Sequence, residues 1–165
     1  MEIYPFLTIS HIVGIVLGVG GATFAEFLYL RALKDGVVDA EEKIILDTTY
    51  RIIRIGLFLA VISGFGFLLL FRFTGAEERL LDPKLWAKMS IVIILAFNAV
   101  LLTMHKIPFW LGSSLSLTSW YAALILGSWR PYPYSFMETI IAYVIAVFVV
   151  AYILHLIRSR FLRKS

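Results

Sequence analysis

The chain of 165 residues has no cysteine. That excludes disulfides, thiolate metal centres, CxxC redox chemistry and covalently attached c-type haem. Charge is scarce too: 16% of residues are Asp, Glu, Lys or Arg, against about 25% in a soluble domain. Methionine is limited to Met1, Met89, Met104 and Met137, so the thioether clusters that favour Cu(I) are missing. Histidine occurs three times, as His11, His105 and His155, with no HxxxH or HExxH pair. A closed, protein-only zinc or copper site therefore lacks a ligand set. No phosphate-binding loop, nucleophile triad or nucleic-acid module is visible. The net charge of +4 comes from basic residues beside apolar runs, as membrane topology requires, and does not point to nucleic acid.

What is abundant is apolar length. Hydrophobic residues make up 61% of the chain, and the mean hydropathy is +0.90. Apolar spans at 5–31, 49–73, 84–105, 109–129 and 136–158 are each long enough to cross a hydrocarbon layer of ~30 Å. The expected fold is all-α: a single-domain, polytopic bundle of five transmembrane helices in a lipid bilayer, without internal repeat or linker. The opening "MEIYPF" lacks a basic n-region, and the first run is too long for a signal h-region. It reads as a retained helix.

Local signals mark the helix ends. "KDG" places Gly36 as a C-cap. "DAEE" sets Asp39 three before Glu42, a capping box that starts the second helix in water ahead of its span. "DPK" offers Asp82 as N-cap with Pro83 at the first helical position. "SFME" is a second capping box, Ser135 with Glu138. "WRPYPY" reads as an aromatic, proline-stiffened turn at a membrane surface. Of the 15 Lys and Arg, ten fall on the side of the first loop, the third loop and the C-terminal tail. The other five, Arg72, Arg79, Lys84, Lys88 and Arg130, fall opposite. The positive-inside rule then places the N-terminus outside and the C-terminus in the cytoplasm of a prokaryotic cell inner membrane.

Ionisable groups inside a span are costly and face a partner or a cavity by default. With this topology His11 lies about 10 Å along the first span, and Lys88 follows Pro83 by about one turn. The two share an outer-leaflet layer. Glu26, Arg51, Arg54, His105 and His155 gather toward the inner side, where Glu26 is expected to pair with Arg31, Arg51 or Arg54. Asn98 lies two turns before His105 on the same face and reads as interhelical glue. The fourth span opens with the small, hydroxylic "GSSLSLTS", Gly112 to Ser119.

A haem needs only one or two axial ligands from the protein, because the macrocycle supplies four nitrogens. It also needs a flat apolar slot and polar groups for its propionates. His11, Gly14, Gly18 and Gly21 recur at +3, +7 and +10, which keeps them on one helical face. This bare strip below an imidazole matches the demand, although each interior glycine costs roughly 1 kcal/mol relative to alanine. Lys88 would be a second axial ligand only as the neutral amine, and Arg72, Arg79 or Lys84 would meet propionates. Plainer readings stand beside these. His11 hydrogen-bonds a neighbouring helix, Lys88 snorkels outward, and the glycine face is small-xxx-small packing. His105 and His155 form a second candidate pair, for another haem or for protonating a quinone.

The residues also carry a family resemblance over about 5–105. "SHIVGIV" puts a His early in the first helix, "FLYLRAL" stands at its inner end, and "LWAKMSIVIIL" sets Trp86 two before Lys88. This pattern resembles the superfamily of HemJ-type protoporphyrinogen oxidases and CopD-type copper-resistance membrane proteins. In HemJ-type proteins a first-helix His and a third-helix Lys in a W-x-K setting are associated with b-haem. The resemblance implies those roles for His11 and Lys88. HemJ-type proteins read as four helices where this chain reads as five, and the acidic "KDGVVDAEEK" replaces a basic, tyrosine-rich continuation.

The leading expectation is a b-haem-binding membrane bundle in electron transfer or membrane redox chemistry. HemJ-like porphyrinogen oxidation is the oxidoreductase activity implied, and a quinone, a porphyrinogen or a redox protein is the expected partner. Two other classes stay open. One is a cation, copper or small-solute transporter lined by His11, Asn98, Glu26 and the serines of the fourth span. The other is a non-catalytic subunit, or a homo-oligomer, packed through its glycine face.

Overall fold

The computed structural model describes residues 3–32 and 39–162, with side chains as far as Arg160. The helix stop expected at Gly36 lies outside the described residues. Five helices form: α1 (Ile3–Ala32), α2 (Ala40–Phe73), α3 (Pro83–Thr103), α4 (Phe109–Ser128) and α5 (Phe136–Leu162), with a 3-10 turn at Glu77–Leu81. All five are long and apolar enough to cross a membrane. The chain is an all-α, multi-pass membrane bundle, with the five spans the sequence predicts.

The caps fall where the sequence places them. Asp39 and Glu42 form a reciprocal capping box, and α2 runs from Ala40, well ahead of its apolar span. The Ser135 amide donates to Glu138 Oε2 at 2.7 Å, and the Glu138 amide donates to Ser135 Oγ at 3.3 Å. At the head of α3, Asp82 accepts from the Lys84 amide at 2.9 Å, and Pro83 occupies the position that needs no donor. Replacing Asp82 with alanine leaves that amide unpaired. It is expected to lower stability by about 0.5–2 kcal/mol, read as a lower unfolding temperature in detergent.

The "WRPYPY" turn is knitted by its own rings. Trp129, Tyr132 and Tyr134 meet edge to face in all three pairings, with centroids 5.4–5.9 Å apart. Lys84 ties this turn to α3, with its ammonium donating to the Trp129 carbonyl and lying 5.3 Å from the centre of the Tyr132 ring.

Short connections make successive helices antiparallel neighbours. The α1–α2 pair is the closest. A Cβ built at Gly14 would lie 2.7 Å from the Ala60 nitrogen and 2.9 Å from the Gly56 carbonyl oxygen. A Cβ at Gly56 would meet the Gly14 oxygen and the Gly18 nitrogen, both at 2.8 Å. Two backbones touch here because neither residue carries a side chain. Helix α4 is central, packing on α1, α3 and α5, whereas α2 meets α3 at few positions. Its apolar window is 39% buried, the largest share of the five, which explains its hydroxyls. Ser114, Thr118 and Ser119 are buried, and each donates to the carbonyl four residues back at 2.6–2.8 Å. Within "GSSLSLTS" these three hydroxyls are internally satisfied and form a small packing face.

Midway along the bundle Ala22, Ala60, Leu95 and Trp120 form an apolar core, flanked by Ile15, Val19, Ile53, Leu57 and Leu117. By register this layer divides the molecule. His11, Ser63 and Lys88 lie toward one end, and Glu26, Tyr50 and Ser113 toward the other.

Candidate functional site

His11 sits against α2. Its Nδ1 is 2.9 Å from Ser63 Oγ, and its ring meets Phe67 edge-on, with centroids 6.0 Å apart. The proton inventory fixes the imidazole. Ser63 has one hydroxyl proton, and that proton goes to the Leu59 carbonyl at 2.6 Å. Ser63 Oγ therefore accepts from His11, so Nδ1 carries the hydrogen. In the neutral ring Nε2 is then a bare lone pair, and it has no hydrogen-bond partner among the described residues. Such an imidazole is poised as a metal ligand or a proton acceptor.

Lys88 of α3 lies within electrostatic range of that ring. It is half-buried and makes no hydrogen bond or ion pair among the described residues. By register His11 and Lys88 lie toward the same end of the bundle, on helices that each pack on α4. Trp86, two residues earlier, is exposed and anchors outward, its indole donating to the Leu80 carbonyl at 2.7 Å.

The glycine strip below His11 is a correction. Gly14 is closed by the backbone of α2. A Cβ at Gly18 would fall 2.2 Å from the Trp120 ring, and one at Gly21 would fall 2.7 Å from Ile53. Neighbouring side chains and backbone fill the strip, so it holds no flat ring. It is a packing face, the plainer of its two readings. Beside the imidazole, Gly64 of α2 leaves room: a Cβ there would meet only His11 Cε1, at 3.9 Å. The cations expected at propionates are engaged elsewhere. Arg72 pairs with Glu77, Arg79 lies over Phe71 with its guanidinium 5.1 Å from the ring centre, and Lys84 is held by Trp129. His11 offers an unpartnered imidazole nitrogen of the kind a haem iron takes, whereas Gly14, Gly18 and Gly21 do not form a slot for the ring.

The opposite end holds a buried ion pair that the sequence reading assigned to other partners. Glu26 pairs with Arg158 of α5, not with Arg31, Arg51 or Arg54. Arg158 Nε and Nη2 donate to Glu26 Oε1 at 3.0 and 2.6 Å, and Nη2 also donates to Ser113 Oγ at 2.6 Å. The guanidinium lies 5.1 Å from the Tyr29 ring centre and 5.7 Å from that of Phe109. One side chain from the end of the chain therefore clamps α1, α4 and α5. Beside it opens a cavity of about 460 Å³, whose polar wall includes Glu26, Asp47, Tyr50, Arg54, His105 and Ser116.

Asn98 is interhelical, as expected, with Nδ2 donating to the Gly112 carbonyl at 2.8 Å. It does not share a face with His105, because α3 ends at Thr103 and His105 turns the chain with φ 55°. His155 is exposed on α5 and does not line the cavity. The His105–His155 pairing is not formed. No cluster of three or more His, Asp or Glu able to hold a metal ion occurs among the described residues.

Fold and site together define a five-span membrane protein with an imidazole–amine layer at one end and a polar cavity at the other. No family model, curated protein or solved structure matches the chain.

Proposed function

We propose that the protein is a b-haem-binding membrane redox protein, with His11 Nε2 as the axial donor and the Lys88 amine as the second. One observation carries the reading: the Ser63 contact leaves the Nε2 lone pair of a membrane-embedded imidazole without a partner. Bound haem supplies one-electron chemistry. The chain's own residues supply the rest. Ser63 holds the ring orientation and tautomer, and accepting the Nδ1 proton makes Nε2 the more basic donor. Lys88 would hold the group only after losing its proton, so a cationic Lys88 would leave that role to His11 alone. Gly64 keeps the space beside the ring clear. The apolar layer around Trp120 lies between this end and the Glu26 cavity. The resemblance to HemJ-type proteins makes porphyrinogen oxidation the first activity to assay. The excess of Lys and Arg at the Glu26 end supports an orientation with His11 toward the outer side of a prokaryotic inner membrane.

The test is the absorbance of protein purified after haem-supplemented expression, oxidised and then reduced with dithionite. A Soret band with α and β bands sharpening on reduction is expected. His11→Ala loses the pigment and His155→Ala retains it. Ser63→Ala retains a band but weakens haem retention by about 10–100-fold. Colourless wild-type protein, or pigment intact in His11→Ala, overturns the assignment.

A further inference from the structure

The Glu26–Arg158 clamp accounts for only one of the two Glu26 oxygens. Both guanidinium bonds go to Oε1. Oε2 has no hydrogen-bond partner among the described residues, and it is not among their fully enclosed unpartnered atoms. The Glu26 side chain is 9% exposed, and the space it borders is the cavity. A carboxylate more than nine-tenths buried, with one oxygen unpartnered among the described residues and its residue on a cavity wall, offers an acceptor to a donor from outside the chain. Two further hydroxyls on the same wall, Tyr50 and Ser116, also make no hydrogen bond among the described residues. An apolar stretch of the wall is made by Ala22, Ala25, Ile53, Ala99, Leu102 and Phe109, beside the polar Asp47, Arg54 and His105.

These features select a ligand. An anion is disfavoured because an acceptor-only oxygen faces the space. A cation is disfavoured because Arg158 already neutralises Glu26, and Arg54 shares the wall with Asp47. What remains is a neutral molecule that donates a hydrogen bond to Glu26, exchanges others with Tyr50 and Ser116, and buries an apolar body. A cavity of about 460 Å³ falls in the range of small-molecule sites, roughly 300–1,000 Å³. We infer that the cavity beside Glu26, Tyr50 and Ser116 binds a hydroxyl-bearing aromatic amphiphile of the hydroquinone class. The site lies about 22 Å along α1 from His11, beyond the Trp120 layer, and it does not depend on haem being bound there.

The probe is 2-heptyl-4-hydroxyquinoline N-oxide, a neutral hydroxy-aromatic with an alkyl tail. It is titrated by fluorescence quenching into the full chain in detergent. Saturable binding at one site per chain is expected. Tyr50→Phe removes one hydroxyl from a half-buried side chain and weakens binding about threefold to tenfold. Ala99→Phe, which fills the wall, abolishes binding, and Glu26→Gln weakens it by about tenfold or more. If Glu26→Gln does not fold, the Tyr50 and Ala99 variants decide. His155→Ala, at a residue exposed and off the cavity wall, binds as the wild type does, and the titration follows the probe rather than a pigment, so a failure of the haem reading leaves this result readable. No saturable binding, or equal affinity in wild type, Tyr50→Phe and Ala99→Phe, overturns the inference.

Discussion

Replacing Arg158 with methionine alone is expected to destabilise the bundle by about 3–5 kcal/mol, because it strands the Glu26 carboxylate without its partner. The double variant Glu26→Gln with Arg158→Met removes both charges together and is expected to recover most of that loss. Replacing a buried pair by neutral groups of similar volume is often close to neutral. The geometry explains the asymmetry. Both side chains are 9% exposed, the carboxylate accepts two guanidinium bonds, and the same guanidinium holds Ser113. Lysine does not substitute well here, because it keeps the charge but loses the planar fork that reaches Glu26 and Ser113 together and lies over Tyr29 and Phe109. Reversible unfolding in mixed detergent, read as a double-mutant cycle, checks this. A single Arg158→Met variant within about 0.5 kcal/mol of wild type, the range of an ordinary surface substitution, would show that the pair is not buried.

That pair also shows where the sequence stops being legible. Helices, spans and caps could be read directly, because each is set by local chemistry. Apolar length sets the spans, and Asp39, Asp82 and Ser135 set the starts. That His11 and Lys88 fall toward the same end followed from counting turns from the starts of α1 and α3, two helices that run in the same direction. Partner choice did not follow. Glu26 has six arginines nearer in sequence than Arg158, which stands among the basic residues that close α5, "HLIRSR". Only the packing of α5 against α4, with Ser113 at the contact, brings it to Glu26. Ser63 was more accessible: it is the one hydroxyl between Ile55 and Phe73, and a polar group alone in a span needs a partner. The glycines were seen but misassigned. A run of small residues on one face states that something approaches closely, and does not state whether that is a ligand or another backbone. The discriminating signal was a second glycine, Gly56, on the adjoining helix at matching depth.

Gly14→Ala and Gly56→Ala are each expected to cost about 1–3 kcal/mol, the usual penalty for overpacking a close contact. The atoms in the way are backbone, at 2.7–2.9 Å, and backbone yields only if the two helices separate. Because either methyl opens the same gap, the double variant should cost less than the sum of the two. Gly20→Ala and Gly127→Ala are the controls. A Cβ there meets nothing within 4 Å, so helix propensity alone acts, and stability is expected to hold or rise by up to about 1 kcal/mol. The consequence reaches the functional end of the molecule. The His11–Ser63 bond spans the same α1–α2 interface, three residues from Gly14 on one helix and seven from Gly56 on the other. Forcing the helices apart at Gly14 therefore loosens the contact that fixes the imidazole tautomer. Gly14→Ala protein that still folds is expected to lose haem retention in the same direction as Ser63→Ala, and Gly20→Ala is not. Equal Soret intensity across Gly14→Ala, Gly20→Ala and wild type, with the predicted stability differences present, would separate the strip's packing role from any part in holding His11.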